Sequence, residues 1–309
     1  MLARSAGAPR IIPVDADPIC SVRQHSADFV QVPPIEPPAT YVEALLGICR
    51  EAGARAVIPT NDLDLLVLAR ARDRFATHGV RVMGAPPEVV EVLGDKLEAA
   101  SWLEQHGFLT PRTVGLESAA ELIERVGFPL VTKARWGQGS AGLAIIEGRE
   151  QLGRLPATAV LQPYLRGPEY NLDILRDPRA GVVAVVPKLK VAMYDGTTQL
   201  ARTVDRPDLV ALGVALGEAV GHIGGIDVDL VLSDQGWFII DVNPRIGGGL
   251  PTTAAACPAY VDALLAICAG VPVEPFLGGY RRAVEVRRDV YYYVHPASPG
   301  DTIAPWNIP

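Results

Sequence analysis

Along the first 85 residues the apolar positions switch repeatedly between two periods. "RIIPVDAD" is a short apolar run ending in acids. "TYVEALLGICREAG" has apolar residues at helical spacing and stops at Gly53. "RAVIPTND" reads as a buried strand, "LDLLVLARARDRFATHG" as a helix and "VRVMGAP" as another strand. This alternation predicts a parallel sheet covered by helices. The proline-rich connection "VPPIEPPAT" (32 to 40) leads into the first of these helices, with Thr40 as its expected N-cap.

Next, "PPEVVEVLGDKLEAASWLEQHGF" predicts a helical region opened by proline. From "TPRTVG" onward strands follow at short range: "PLVTKAR", "LAIIE", "AVLQPYL", "EYNLDIL" and "GVVAVVPKLKVAMY". After the helix "PDLVALGVALGEAVGHIG", "IDVDLVLS" and "WFIIDVNPR" form a hairpin around "DQG". A helix at 258 to 269 and a strand "AVEVRRDVYYYV" are expected after it. The fold class is therefore α/β at the start and α+β beyond.

Bulk properties narrow the function. A length of 309 residues suits two or three domains, and 49% hydrophobic residues can bury a sizeable core. A net charge of -7 argues against nucleic acid or an anionic membrane as the main partner. No run of about 18 apolar residues predicts a membrane span, and "MLARSAGAPR" is too short and polar for a secretory signal. Cys20, Cys49, Cys257 and Cys268 lack C-x-x-C spacing and read as free thiols of a reducing cytoplasm. Of 28 basic residues only Lys96, Lys133, Lys188 and Lys190 are lysines. A chain that uses arginine almost everywhere keeps lysine where a compact, mobile ammonium is needed.

Gly137, Gly139 and Gly142 spell G-x-G-x-x-G, the form of a Rossmann dinucleotide loop. Such a loop follows a strand and opens a helix. Here "LAIIE" follows Gly142, so the loop joins two antiparallel strands. Its unhindered N–H groups can fold over a polyphosphate as a lid, with Lys133 on the strand before it. In "LQPYLRGPEYNLDIL" the connector offers backbone groups at Gln162 to Leu165 to an adenine edge, and Glu169 can accept from ribose hydroxyls. Taken alone, this stretch is an ordinary β-hairpin.

The hairpin "IDVDLVLSDQGWFIIDVNPRIGGG" carries the sharpest signal. Asp241 and Asn243 are two apart and share a strand face. Asp229 lies twelve residues before Asp241, across the turn. Three oxygen ligands on one face of otherwise apolar strands suit Mg²⁺.

"GDK" (94 to 96), "VTKARWGQGSAG" (131 to 142), "LQPYLRGPEY" (161 to 170) and "FIIDVNPRIGGG" (238 to 249) together resemble the ATP-grasp superfamily, in its carbamoyl-phosphate-synthase-like carboxylate–amine ligase branch. The resemblance implies an N-terminal α/β domain (1–93), a lid domain with the glycine loop (94–166) and a C-terminal domain with the metal site (167–309). It implies that Lys96 and Lys133 contact the α- and β-phosphates, and that Gly137, Gln138, Gly139, Ser140 and Gly142 cover them. Gln162, Tyr164 and Leu165 would frame the adenine and Glu169 the ribose. Lys188 and Lys190 would lie near the γ-phosphate and acceptor. Asp229, Asp241 and Asn243 would bind one or two Mg²⁺, with Mn²⁺ able to substitute. Arg245 would hold the acyl phosphate or the substrate carboxylate.

The chain departs from the family pattern at Pro163, where an acid is common, at Asp241, which replaces a Glu, and at Asp229, where Gln is frequent. The family's first strand and glycine turn are also expected to be missing ahead of "MLARSAGA".

The implied chemistry joins a small carboxylate, such as an amino acid or small peptide, to an amine through an acyl phosphate. ATP is converted to ADP, and family practice allows a homodimer. The competing expectations are a bicarbonate-activating synthetase and a nucleotide-binding module without turnover. His25, His78, His106, His222 and His295 are scattered and read as structural or surface residues. The absence of H-R-D, D-F-G and G-K sequences argues against kinases and Walker-type NTPases.

Overall fold

The computed structural model describes residues 9–137, 142–194 and 196–289. In the N-terminal unit β1 (Val14–Asp15) pairs in parallel with β2 (Val30–Gln31). Helix α1 (Pro38–Ala52) follows, burying Tyr41, Val42, Leu45, Leu46 and Cys49 along one stripe. Thr40 is not its cap. Pro37 occupies that position and Pro38 opens the helix, because proline's fixed φ suits a first turn whose N–H has no partner. Strand β3 (Ala56–Val57) leads to α2 (Asp62–Arg70) and α3 (Arg72–Ala76), which divide the single helix expected there. Strand β4 (Arg81–Val82) pairs with β3 in parallel.

The expected helical region holds two helices, α4 (Pro87–Gly94) and α5 (Lys96–Gln105), separated by Asp95. The Asp95 carboxylate accepts the Leu97 N–H at 3.0 Å, so a cap restarts the helix at Lys96. The second unit, the one expected to act as a lid, contains β5 (Val114–Gly115), α6 (Ala119–Val126), β6 (Leu130–Ala134), β7 (Ala144–Ile146) and β8 (Ala159–Pro163). Its sheet order is β5-β8-β6-β7, and β6 pairs antiparallel with β7. The glycine loop therefore joins two antiparallel strands, as a Rossmann loop does not.

The third unit holds β9 (Glu169–Asp177), β10 (Gly181–Tyr194), β11 (Thr197–Thr203), α7 (Pro207–Val220), β12 (Gly224–Ser233), β13 (Gly236–Asn243), α8 (Leu250–Ala256), α9 (Pro258–Cys268) and β14 (Glu285–Arg287). Its sheet runs β13-β12-β9-β10-β11-β14. The last strand is shorter than expected, and its predicted continuation from residue 290 lies outside the described residues, as does His295.

Strands β8 and β9 belong to different sheets, so 164 to 168 is a crossing and not a hairpin turn. Gly167 makes the crossing possible: at φ 155 a Cβ would lie 1.8 Å from the Leu232 carbonyl oxygen.

One face of the six-stranded sheet is apolar. Leu172, Ile174, Val185, Val228 and Leu230 pack there with Leu209 and Leu216 of α7. The opposite face is divided. Leu175, Ala184 and Val186 bury against Tyr260 and Leu264 of α9, and the remainder carries the polar residues of the site. No single helix among the described residues is long and apolar enough to cross a membrane.

His222 is fully buried beside this core. Burial, followed by the charge of Arg176, pushes its pKa down to about 3. The unfolded chain then binds a proton that the fold refuses between the ordinary value of about 6.5 and about 3, so stability falls with pH through that window. Urea midpoints should report about 2 kcal/mol lost by pH 5 from this group, and His222→Gln should flatten the slope by that amount.

Candidate functional site

The polar face is built by register. Hairpin β12–β13 sets Asp229 opposite Asp241 and Asp227 opposite Asn243. On the other side of β12, β9 sets Asn171 opposite Asp229 and Asp173 opposite Asp227. Strand β10 then sets Lys188 opposite Asn171. One rung therefore reads Asp241–Asp229–Asn171–Lys188, and the next reads Asn243–Asp227–Asp173. Strands spaced about 4.8 Å apart bring these side chains into contact.

Asn171 Nδ2 donates to Asp227 Oδ1 and to Asp229 Oδ1, both at 2.8 Å. Asn243 Nδ2 donates to Asp227 Oδ2 at 3.4 Å and to Asp241 Oδ2 at 3.3 Å. A bulge follows Asp229, where Leu230 pairs with Ile239 and Ile240 is skipped. The Ile240 carbonyl accepts Lys133 Nζ at 3.2 Å, which ties the lid to the sheet.

The lysines come from three directions. Lys96 reaches Asp241 from α5. Its backbone is held by the Arg135 carbonyl at 3.0 Å, and Arg135 Nε donates to both Asp95 oxygens at 2.9 Å. Burial would lower the Lys190 pKa, but Asp229 at 2.8 Å and Glu169 at 3.6 Å raise it overall. Burial lowers Lys133, against the raising charge of Asp241. Burial also works to raise Asp241, but Lys96 and Lys133 bring it below the ordinary carboxylate range. Lys188 differs from the other three. It is 1% exposed, and its ammonium is held by Asp173, whose carboxylate also accepts from Thr253.

Lys96, Lys133, Gly137, Gln162, Tyr164, Leu165, Glu169, Lys188, Lys190, Asp229, Asp241, Asn243 and Arg245 all line one cleft of about 1180 Å³ between the lid and the six-stranded sheet. Gly142 sits beside it against Ala134. Gln138, Gly139 and Ser140 lie outside the described residues. Gln162 is buried and donates to Thr113 Oγ1 at 2.8 Å, so its side chain serves the lid's own structure. Arg245 crosses to the N-terminal unit, where it pairs with Asp62.

Asn171 and Asp227 also line the cleft, and the sequence reading missed both. The signal was available: Asp227 lies two before Asp229, and Asn171 two after Glu169, each on the same strand face. The pair also tests whether a hard cation fits. Asn171 Oδ1 is buried without a partner among the described residues. Burial, then Asp229 and Asp173, push Asp227 up to about 7, so the cluster is short of positive charge. Every donor is an oxygen on a carboxylate or amide, the set that suits Mg²⁺. Among the described residues no group of three or more carboxylate, histidine or cysteine side chains is arranged to hold a metal ion, so a cation here would need the amide oxygens of Asn171 and Asn243 and phosphate oxygens as further ligands. Gly247 and Gly249 keep this corner open, since a Cβ would lie 2.2 Å from Asp227 Cγ or 2.7 Å from Lys188 Nζ respectively.

A family model described as an ATP-grasp domain matches residues 93–249, half of the chain. The chain belongs to the ATP-grasp family. A second model, a PylC-like N-terminal domain, matches residues 2–83 of this ATP-grasp protein. The carbamoyl phosphate synthase large chain of Thermomicrobium roseum is 23% identical over 265 residues, which cover 78% of this chain and 22% of the relative. The chain thus spans less than a quarter of that relative's length.

Solved structures share the ATP-grasp fold at lower identity. Biotin carboxylase from Campylobacter jejuni aligns with TM-score 0.71 and 14% identity, over 88% of this chain and 67% of that one. The biotin carboxylase domain of Hydrogenobacter thermophilus 2-oxoglutarate carboxylase, crystallised with MgADP and bicarbonate, aligns with TM-score 0.69 and 19% identity, over 83% of this chain and 63% of that one.

Proposed function

We propose that this chain is an ATP-dependent carboxylate–amine ligase that uses Mg²⁺ and forms an amide through an acyl phosphate. The observation that carries the reading is the cleft in which Lys96, Lys133 and Lys190 face the row Asp241–Asp229–Asn171. Ammonium groups poised against carboxylates can exchange those partners for phosphate oxygens once a cation joins the acids. The nucleotide lies between the lid (94–166) and the C-terminal unit (167–309), with the adenine towards Gln162, Tyr164 and Leu165 and the ribose towards Glu169.

Asp229, Asp241 and Asn243, joined by Asp227 and Asn171, would hold Mg²⁺, which would neutralise the phosphates. A substrate carboxylate oxygen attacks the γ-phosphorus, the bond to the β-bridging oxygen breaks, and ADP leaves. An amine then displaces phosphate from the acyl carbon and loses a proton. Lys96, Lys133 and Lys190 follow the charge between oxygens, and Arg245 holds the carboxylate end. The glycine loop excludes water that would hydrolyse the acyl phosphate.

The test is ADP release from Mg·ATP with pooled amino acids and dipeptides, using hydroxylamine as surrogate amine. Carboxylate-dependent ADP together with hydroxamate is the expected result. No ADP with these acids or with bicarbonate, despite measurable Mg·ATP binding, points to an absent partner or a nucleotide-binding module instead. A second reading is favoured by the relatives: the carboxylate is bicarbonate. ADP release that depends on bicarbonate alone selects it.

A further inference from the structure

Arg245 lies two residues beyond the acid-bearing strand β13, yet its side chain is gripped by a residue 183 positions away. Arg245 Nε donates to Asp62 Oδ1 at 2.6 Å, and Nη2 donates to Asp62 Oδ2 at 3.1 Å. This is a two-point grip on one edge of the guanidinium. Nη1 donates to the Ile246 carbonyl at 3.3 Å. A guanidinium has five N–H donors, and these three bonds leave one on each of the two terminal nitrogens. The spare Nη2 N–H lies on the edge away from Asp62, next to the Nη1 amino group, and that edge can take a second carboxylate or phosphoryl group. Arg245 is half-buried and lines the cleft, whereas Asp62 does not.

The placement of Asp62 is itself built. It is the first residue of α2, next to the cap Asn61, whose side-chain oxygen accepts the Asp64 N–H at 2.9 Å. The segment from β3 to α2 leaves the carboxyl end of a strand in the parallel N-terminal unit, the edge at which open α/β sheets take ligands. The same unit is packed against the residue before Arg245. Gly84 exchanges backbone hydrogen bonds with Ile223 at 2.9 Å in both directions, and a Cβ on Gly84 would lie 3.5 Å from the Pro244 carbonyl oxygen. The N-terminal unit thus lies close to the backbone before Arg245 and holds one edge of its guanidinium. Burial works to lower the Arg245 pKa, and Asp62, together with Asp227 and Asp241, raises it overall.

We propose that Asp62 is a positioning residue for the acceptor. By holding one edge of Arg245, it presents the other edge to the anionic group of the carboxylate substrate, and so makes the N-terminal unit part of the active site. This rests on the ligase reading of the cleft.

The test compares wild type, Asp62→Asn and Asp62→Glu as full chains. The first measurement is phenylglyoxal modification of Arg245 with Mg and a non-hydrolysable ATP analogue present, read by peptide mass mapping. It needs no turnover. Asp62→Asn should raise the Arg245 modification rate about tenfold, and Asp62→Glu should return it close to wild type. The second measurement uses the carboxylate that supports ADP release. Asp62→Asn should raise KM for that carboxylate at least thirtyfold while leaving KM for ATP within twofold, and Asp62→Glu should recover most of the loss. A structural role would move both KM values, or melt the protein. Unchanged Arg245 reactivity, or equal losses in both KM values, overturns the proposal. If wild type turns over no carboxylate, the ligase reading fails, and the reactivity of Arg245 alone decides whether Asp62 holds it.

Discussion

Asp241→Ala is expected to reduce Mg-dependent ADP release by at least 10²- to 10³-fold while the protein stays folded. The magnitude is that of losing one preorganised electrostatic contact at a site of developing charge. Asp241 links the helix, the lid side and the sheet at one point. It receives Lys96 from α5, accepts from Asn243, stands opposite Asp229 and lowers the cost of burying Lys133. Removing it takes a cation ligand and the carboxylate shared by Lys96 and Lys133, leaving Lys133 only the charges of Asp229 and Glu169 against Lys96. Folding should survive because the side chain is over a quarter exposed and lies at the sheet edge, away from the apolar face. Circular dichroism and the melting temperature check that point. Unchanged ADP release in a folded variant would remove Asp241 from the cation site.

The second large effect is on stability. Lys188→Met should destabilise the C-terminal unit by about 3–5 kcal/mol, because it leaves the Asp173 carboxylate buried without its cation. Both partners are almost completely enclosed, 1% and 2% exposed, so solvent cannot take over. Thr253 continues to donate to Asp173, but a hydroxyl does not neutralise a charge. The double variant Lys188→Met, Asp173→Asn should recover most of the loss, since removing both charges together is often nearly neutral. Urea unfolding of the three proteins measures this. If the single and double variants are equally unstable, the effect is packing and not charge. The experiment also separates Lys188 from the other lysines. Lys190, Lys96 and Lys133 have partners a nucleotide can replace, whereas Lys188 is committed to Asp173 and shapes the cleft wall beneath Gly249.

Much of the site was legible in the chain because strands translate sequence into geometry with a period of two. Asp241 and Asn243 had to share a face, and the Gly-containing turn made Asp229 the natural partner of Asp241. The antiparallel nature of the glycine loop was legible too, since five mostly apolar residues before Gly148 cannot open a helix. The boundaries within helices were not. Breaks at Ala71 and Asp95 depend on which turn finds a cap, and Thr40 lost its place to two prolines whose φ already suits a helix start.

Tertiary structure alone decided the rest. The assignment of β8 and β9 to different sheets follows from Gly167 passing against Leu232, a contact across 65 positions. The strand order β12-β9-β10 brings Asn171 and Lys188 onto the rung of Asp229, and no local pattern encodes which strands neighbour each other. The partners of the cations, Asp173 for Lys188 and Asp62 for Arg245, lie 15 and 183 residues away. Sequence determines which side chains share a strand face, because the backbone imposes that locally. Which charges meet is set by packing, because a buried charge takes whichever opposite charge the assembled sheets and helices deliver to it.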